Sequence, residues 1–290
     1  MQLDQLKALA AIVDHGTFEA AAASLHVTPS AISQRIRALE DGLGQIILRR
    51  TTPATPTEAG AILLRTARAF ALLESQARES LGLDGAGRYP LKVAVNADSL
   101  ATWFAPVLAE AATWDETTLH LEVEDQDHSL DLLSRGEVVA TITGHGRPVA
   151  GCRVELLGAM RYLPAAAPHL RDAWRRGRGV DWARMPMVRF NGKDDLQDAY
   201  LRSRGITQAP PAGQIPSSQA FVEAIRVGLG WGLVPEGQLG SLLTRGELVR
   251  LSRDHVDVPL YWHVLRLDSP RLHRLTAAVH RAARPLRRTS

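Results

Sequence analysis

The strongest constraint on this chain lies at Thr28-Pro29. A threonine followed by proline is a helix start: the hydroxyl can accept from a backbone N–H that has no partner, and proline suits the first helical position. The residues that follow, Ser30-Ala-Ile-Ser-Gln-Arg-Ile-Arg-Ala-Leu-Glu, are periodic. Ile32, Ile36, Leu39 and Leu43, spaced by four, three and four, predict a helix to about Leu43 with one apolar face. Ser30, Gln34 and Arg37 stand opposite, with Ser33 beside them. Upstream, Leu3, Leu6, Ala10 and Val13 predict a first helix ended by Gly16. Thr17 is the expected cap of a short alanine-rich helix, Phe18 to Leu25. Two short helices joined by a tight turn, the second exposing Ser, Gln and Arg, meet the requirements of a helix-turn-helix.

Ile46-Ile-Leu-Arg-Arg-Thr-Thr-Pro-Ala-Thr-Pro-Thr can form a small two-stranded wing with Arg49 and Arg50 beside its tip. A long helix begins near Thr57-Glu58-Ala59. Leu63, Thr66, Phe70, Leu73 and Ala77 alternate by three and four, a seam suited to pairing with a second copy of the helix. Gly82-Leu-Asp-Gly-Ala-Gly-Arg then reads as a flexible joint before a domain boundary. From Tyr89 onward, strands alternate with helices. Leu91–Val95, Thr118–Val123, Val138–Thr143, Met187–Phe190 and Gly232–Pro235 read as strands; Trp103–Ala112, Leu130–Arg135 and Gln219–Val227 read as helices. The pattern predicts an α/β region with a mostly parallel sheet, long enough for two small lobes holding a ligand at strand carboxyl ends and helix amino ends.

Enzyme readings fail one by one. Cys152 is the single cysteine, so neither an intrachain disulfide nor a zinc cluster is available, and a reducing cytoplasm fits best. The ten histidines show no HxxxH or HExxH spacing. Neither a Gly-x-Ser-x-Gly elbow nor a phosphate loop occurs, and Gly228-Leu-Gly-Trp-Gly reads as a tight turn between helix and strand. No catalytic constellation, metal or cofactor is expected. No apolar run reaches the ~20 residues of a membrane span, and the first residues do not read as a signal peptide.

Charge sharpens the nucleic-acid reading. The net charge of +3 rests on an arginine-rich C-terminal tail, and without it the chain would be slightly acidic. Hydroxyls, amides and arginines on one helix face suit phosphates and base edges, making Thr28, Pro29, Ser30, Ser33, Gln34, Arg35, Arg37, Arg49 and Arg50 the candidate DNA contacts. Residues 1–60 hold five basic and six acidic side chains. Affinity must then come from a local patch and from dimer avidity.

Leu6-Lys-Ala-Leu through Gly16-Thr-Phe-Glu-Ala-Ala-Ala, then Thr28-Pro-Ser-Ala-Ile-Ser-Gln-Arg-Ile-Arg-Ala-Leu-Glu, then Arg50 and Thr57-Glu-Ala-Gly resemble the LysR-type transcriptional regulators. Asn96-Ala-Asp-Ser-Leu-Ala-Thr-Trp, Arg135-Gly-Glu-Val-Val, Leu157-Gly-Ala-Met-Arg-Tyr-Leu, Lys193-Asp-Asp-Leu-Gln and Pro216-Ser-Ser-Gln-Ala-Phe…Gly228-Leu-Gly-Trp-Gly-Leu-Val-Pro-Glu are similar to its basic-amino-acid export branch, the ArgP/LysG type. The wing departs from the pattern, because Thr51-Thr-Pro-Ala-Thr-Pro carries few basic residues.

The resemblance implies a winged helix-turn-helix at 1–58, a linker and dimerisation helix at 59–88, and a two-lobed, periplasmic-binding-protein-like effector domain at 89–290. It implies double-stranded DNA, a homodimer or homotetramer and RNA polymerase as partners, with lysine or arginine as effector and an exporter gene as target. A different effector, or replication or nucleotide-gene targets, are alternatives within the class; a binding module or enzyme without a DNA role is the alternative outside it. A basic amino acid needs a carboxylate site and partners for two cations. Helix starts at Asp98-Ser99 and Ser217-Ser218 can supply the first. Asp98, Glu124 or Asp125 can meet the amino groups. Asn96, Thr143 and Phe190 complete the candidate effector residues, and Leu63, Phe70, Leu73 and Ala77 are the candidate dimer seam.

Overall fold

Gln2 and Gln5 close a reciprocal cap at the start of α1 (Leu3–His15), which Gly16 ends in the left-handed region at φ 79°. Thr17 caps α2 (Phe18–Ser24) by accepting from Ala20 N–H. Thr28 caps α3 (Pro29–Leu43) through Ala31 N–H, with Pro29 at the first position. Leu9, Ile12, Ile32, Ile36 and Leu39 meet Ala21, Ala22, Ile47 and Leu64 in one buried cluster. The stripes differ slightly from the sequence expectation: Leu3 and Leu43 are exposed, and Leu6, Leu9 and Ile12 are the buried face of α1. Both exceptions lie at helix ends, which project past the small core.

A hairpin of β1 (Leu48–Arg49) and β2 (Thr55–Pro56) forms the wing, and Ala54 N–H ties its far side to the Gly16 carbonyl at 2.8 Å. Thr57 caps the 23-residue α4 (Glu58–Ser80). Gly60, Ala61, Leu64, Ala67 and Leu72 are its buried face. Phe70 and Leu73 are 45% and 42% exposed, and Ala77 is exposed too. Leu63 departs from the expected seam, since it is half-buried against the N-terminal core of its own chain.

The computed structural model describes residues 1–83, 88–124 and 126–286. Residues 84–87 of the expected joint, the candidate ligand Asp125, and Arg287 and Arg288 of the tail lie outside the described residues. The remaining elements are β3 (Tyr89–Val95), α5 (Ala97–Ala101), α6 (Ala105–Ala111), β4 (Thr117–Val123), α7 (Gln126–Ser134), β5 (Ala140–Thr143), β6 (Cys152–Ala166) and α8 (Pro168–Ala173). They continue with β7 (Arg175–Arg176), β8 (Gly179–Val180), β9 (Met187–Arg189), α9 (Leu196–Ser203), β10 (Ala212–Gln214) and α10 (Ser218–Arg226). Last come β11 (Gly232–Pro235), α11 (Glu236–Thr244), β12 (Val249–Arg250), β13 (Val256–Leu265) and α12 (Pro270–Ala282). The chain divides into one unit of residues 1–96, 107–155 and 261–278, and a second of 97–106, 156–260 and 279–290.

In the first unit β3 pairs in parallel with β4 along its whole length and with β5 at Val93 and Ala94. The C-terminal half of β13 pairs antiparallel with β5, from Tyr261↔Thr143 to Val264↔Ala140. In the second unit β11 and β12 both run antiparallel to β6, and β9 pairs in parallel with β10. The sheets are therefore mixed, correcting the expectation of a mostly parallel one. That expectation omitted β6 and β13. β6 carries Gly158 and Pro164 and is rich in alanine, so neither alternation nor β-branched residues mark it as a strand.

The second unit's core joins Leu163, Val188, Phe221, Ile225, Val234 and Leu239. Beside it Trp182 meets Trp231 edge-on at 4.9 Å between centroids. Gly230, in the turn between α10 and β11, is obligatory, because a Cβ there would lie 2.6 Å from the Met187 carbonyl carbon.

His263 is fully buried on β13, with Nε2 2.8 Å from the His145 carbonyl and Nδ1 without a partner among the described residues. The carbonyl accepts, so Nε2 carries a proton, and the unpartnered Nδ1 gives a second proton nothing to bond among the described residues. Burial holds its pKa below the usual value, outweighing the His145 bond. The unfolded chain then binds a proton more readily than the folded one, and stability falls as pH drops below about 6.5, the free-histidine value. Denaturant midpoints between pH 7.5 and 5 are expected to decline, and His263→Gln to make that decline shallower. Identical slopes would show that another group controls it.

Candidate functional site

On α3 the apolar residues turn inward and leave Ser30, Gln34 and Arg37 exposed, while Ser33 and Arg35 are half-buried. The candidates are not equally available. The Thr28 hydroxyl accepts from Ala31 N–H at 3.2 Å and lies 2.9 Å from the Ser30 hydroxyl, and exposed Pro29 sits at the helix start. Arg35 is turned to Asp4 of α1 at 3.2 Å. Arg50 stands over the Phe18 ring, 6.0 Å from its centroid. Arg37 and Arg49 are exposed and form no ion pair with a described residue, which makes them the most available cations of the patch.

The second unit contains a polar centre built on Asp98, in the first turn of α5. Tyr162, on β6 and buried, donates its hydroxyl to Asp98 Oδ2 at 2.8 Å. Ser218, the first residue of α10, donates to Oδ1 at 2.7 Å, and Gln238 Nε2 donates in turn to the Ser218 hydroxyl at 3.2 Å. Burial pushes the Asp98 carboxyl above its usual range, the Ser218 and Tyr162 bonds pull it back, and the Asp194 charge adds to the rise. Burial first, and then the neighbouring Asp98 charge, raise the Tyr162 phenol well above its ordinary value, so it stays a donor. Among the described residues the half-buried Asp98 carboxylate is bonded by the Tyr162 and Ser218 hydroxyls and by no cation. An ammonium or guanidinium group would supply it with a charge-assisted bond.

Asp98 and Ser218 thus come together as one centre. Ser99 is buried and accepts from Trp103 Nε1 at 3.1 Å, a packing role. Ser217 caps α10 through Ala220 N–H. Phe190 is half-buried, and its backbone N–H donates to Asp194 Oδ2 at 2.9 Å. Asn96, Glu124 and Thr143 belong to the first unit, where Asn96 and Thr143 are buried and Glu124 is half-buried. Sequence reasoning missed Tyr162 and Gln238. The signal for Tyr162 was a hydroxyl in the stretch Leu157-Gly-Ala-Met-Arg-Tyr-Leu, whose strand character went unrecognised. Gln238 carried none.

A small DNA-reading head, a long linking helix and α/β units with a polar centre define a ligand-responsive, DNA-binding regulator. Residues 3–61 match the bacterial regulatory helix-turn-helix proteins of the lysR family, and residues 85–285 match the LysR substrate binding domain. The chain belongs to the LysR family. It is 48% identical, over 98% of both chains, to the lysine export transcriptional regulatory protein LysG of Corynebacterium efficiens. Its fold is similar to full-length LysG of Corynebacterium glutamicum with bound effector arginine, with a TM-score of 0.85, 45% identity and full coverage of both chains. It is also similar to ArgP of Mycobacterium tuberculosis, with a TM-score of 0.89 and 42% identity, covering 99% of this chain and 98% of that one.

A cationic ligand on Asp98 should bind the carboxylate form. Because the folded pKa is raised, arginine affinity is expected to fall with decreasing pH sooner than an ordinary carboxylate, near 4, would require. Asp98→Asn is expected to cost about 1.5–3 kcal/mol of that affinity, the scale of a bond to a charged group, and to flatten the pH dependence. Calorimetry on the full-length protein measures both. Equal affinity in the variant would return Asp98 to a packing role.

Proposed function

We propose that this protein is a transcriptional regulator that senses lysine or arginine and controls an amino-acid exporter gene. The reading rests above all on the Asp98 centre, a carboxylate held by the Tyr162 and Ser218 hydroxyls that calls for a cation. It is supported by the LysG and ArgP relatives and by arginine as the effector of one of them. Residues 1–58 act as the operator-binding domain, 59–88 as the linker and dimerisation helix, and 89–290 as the effector domain. Helix α3 enters the major groove with Ser30, Ser33, Gln34 and Arg37, and Arg49 and Arg50 of the wing meet the backbone. Thr28 and Pro29 set the helix start, and Arg35 adds positive charge to the patch. Glu124 and Asp125 are the further carboxylates for the ligand's second cation; Asn96, Ser99, Thr143, Phe190 and Ser217 are proposed to shape the site.

Phe70, Leu73 and Ala77, with Leu63 at the edge, are proposed to pair two copies into a dimer that assembles further. The reading places the protein in the cytoplasm and makes RNA polymerase its partner at the promoter. No helix among the described residues is long and apolar enough to cross a membrane.

Two variants test the DNA side. Arg37→Ala is expected to weaken operator binding by about 1–3 kcal/mol if the arginine reads a base, with folding intact because Arg37 is exposed and outside the buried face of Ile32, Ile36 and Leu39. Unchanged affinity at matched salt would remove it from the contact set. Phe70→Asp puts a charge into the proposed pairing face, where an unpaired buried charge is strongly unfavourable. Sedimentation is expected to show dissociation, and operator binding to fall as the two half-sites separate. A wild-type sedimentation profile would place the dimer contact elsewhere. Promoter-fragment mobility with and without arginine tests the whole reading.

A further inference from the structure

Near the end of α1, the Asp14 carboxylate collects two cations from different parts of the first unit. Arg68 of α4 reaches it with both terminal nitrogens, at 2.6 and 2.5 Å. Lys92, in the middle of β3, reaches Oδ1 at 2.6 Å. These side chains are only 15–28% exposed, so water screens them weakly. Arg68 Nε also donates to the Gly136 carbonyl at 3.3 Å, and Arg65 donates to the Ser134 carbonyl. The backbones approach closely there: a Cβ on Gly136 would lie 2.8 Å from Arg65 N. The helix that links the head to the rest is thus clamped on the turn after α7.

Each end of this cluster leads to a site already described. Asp14 lies two residues before Gly16, whose carbonyl holds the wing through Ala54 N–H, and α1 shares its core with α3. Lys92 lies in a strand held on both sides, four residues before Asn96 and six before Asp98 along the chain. Close by, Glu137 is half-buried and paired with Arg135 at 3.0 Å. Lys92 bridges the head and its own α/β lobe through one contact, the Asp14 carboxylate.

We propose that Asp14, Arg68 and Lys92 form the joint through which the ligand state of the effector domain reaches the DNA-reading head, with Lys92 as its positioning residue. Lys92 touches neither DNA nor ligand in this assignment. It fixes the end of α1, and through Gly16 the wing, relative to β3. The direction of signalling rests on the effector reading given above; the mechanical role of the joint does not.

The test uses full-length protein and three chains: wild type, Lys92→Met, which keeps the aliphatic stem, and Lys92→Arg, which restores the cation. Without any ligand, amide exchange of residues 12–17 is expected to quicken in Lys92→Met and to return towards wild type in Lys92→Arg, with unchanged melting of the effector domain. Unchanged exchange in Lys92→Met overturns the joint, as does exchange that Lys92→Arg fails to restore. The second arm compares operator affinity with and without saturating L-arginine. An effector-dependent change of about fivefold or more, ordinary for allosteric coupling, is expected to fall below about twofold in Lys92→Met and to recover in Lys92→Arg. Wild-type coupling in Lys92→Met overturns the proposal. If wild-type operator binding ignores arginine, the effector reading fails, and the exchange arm alone decides the joint.

Discussion

A single helix must satisfy three surfaces at once, and the first unit depends on how α4 does so. Its 23 residues extend about 35 Å at 1.5 Å per residue. One stripe, Gly60, Ala61, Leu64, Ala67 and Leu72, is buried. A second carries Arg65 and Arg68, whose guanidinium groups bond the Ser134 and Gly136 carbonyls and Asp14. A third, Phe70, Leu73 and Ala77, remains apolar and exposed. Because the helical repeat is 3.6 residues, three such stripes fit around one cylinder only if small residues take the close contacts. The alanines and Gly60 serve that need, and the result is a strut in firm contact with both the head and the lobe.

The polar centre in the second unit works by incomplete compensation. Asp98 is held by two hydroxyls that stabilise its charge without neutralising it. Burial makes the charged form of this half-buried carboxylate costly, so its pKa lies above the usual range. Burial and the Asp98 charge both oppose ionisation of the Tyr162 phenol, so it remains a hydrogen-bond donor to the carboxylate. Asp194, tied to the Phe190 and Leu196 amides, adds to the negative field around Asp98.

The head's weak overall charge has a structural counterpart. Arg35 pairs with Asp4 and Arg50 stands over the Phe18 ring, while exposed Arg37 and Arg49 form no ion pair with a described residue. With so few phosphate-neutralising groups per head, binding two heads at once contributes more than it would in a strongly basic domain.

Local chemistry was legible in the sequence wherever a residue acts on its own backbone. Thr17, Thr28 and Thr57 each cap the helix that follows, Pro29 opens α3 and Gly16 closes α1, because capping requires only neighbours along the chain. Strand β3 and the start of α10 were readable for the same reason. Side-chain partners distant in sequence were not. Asp98 and Ser218 could each be singled out as helix starts, but their meeting 120 positions apart is set by the packing of α5 against α10, with Tyr162 of β6 reaching the same carboxylate. Strand β6 escaped because antiparallel partners, not intrinsic preference, hold its alanine, glycine and proline positions extended, whereas β13 carries valines and aromatics that do favour a strand. The sequence by itself determined the caps, the DNA-reading helix and the family. Tertiary structure decided which charges meet, since a carboxylate takes whichever cation the packed backbone brings within 3 Å.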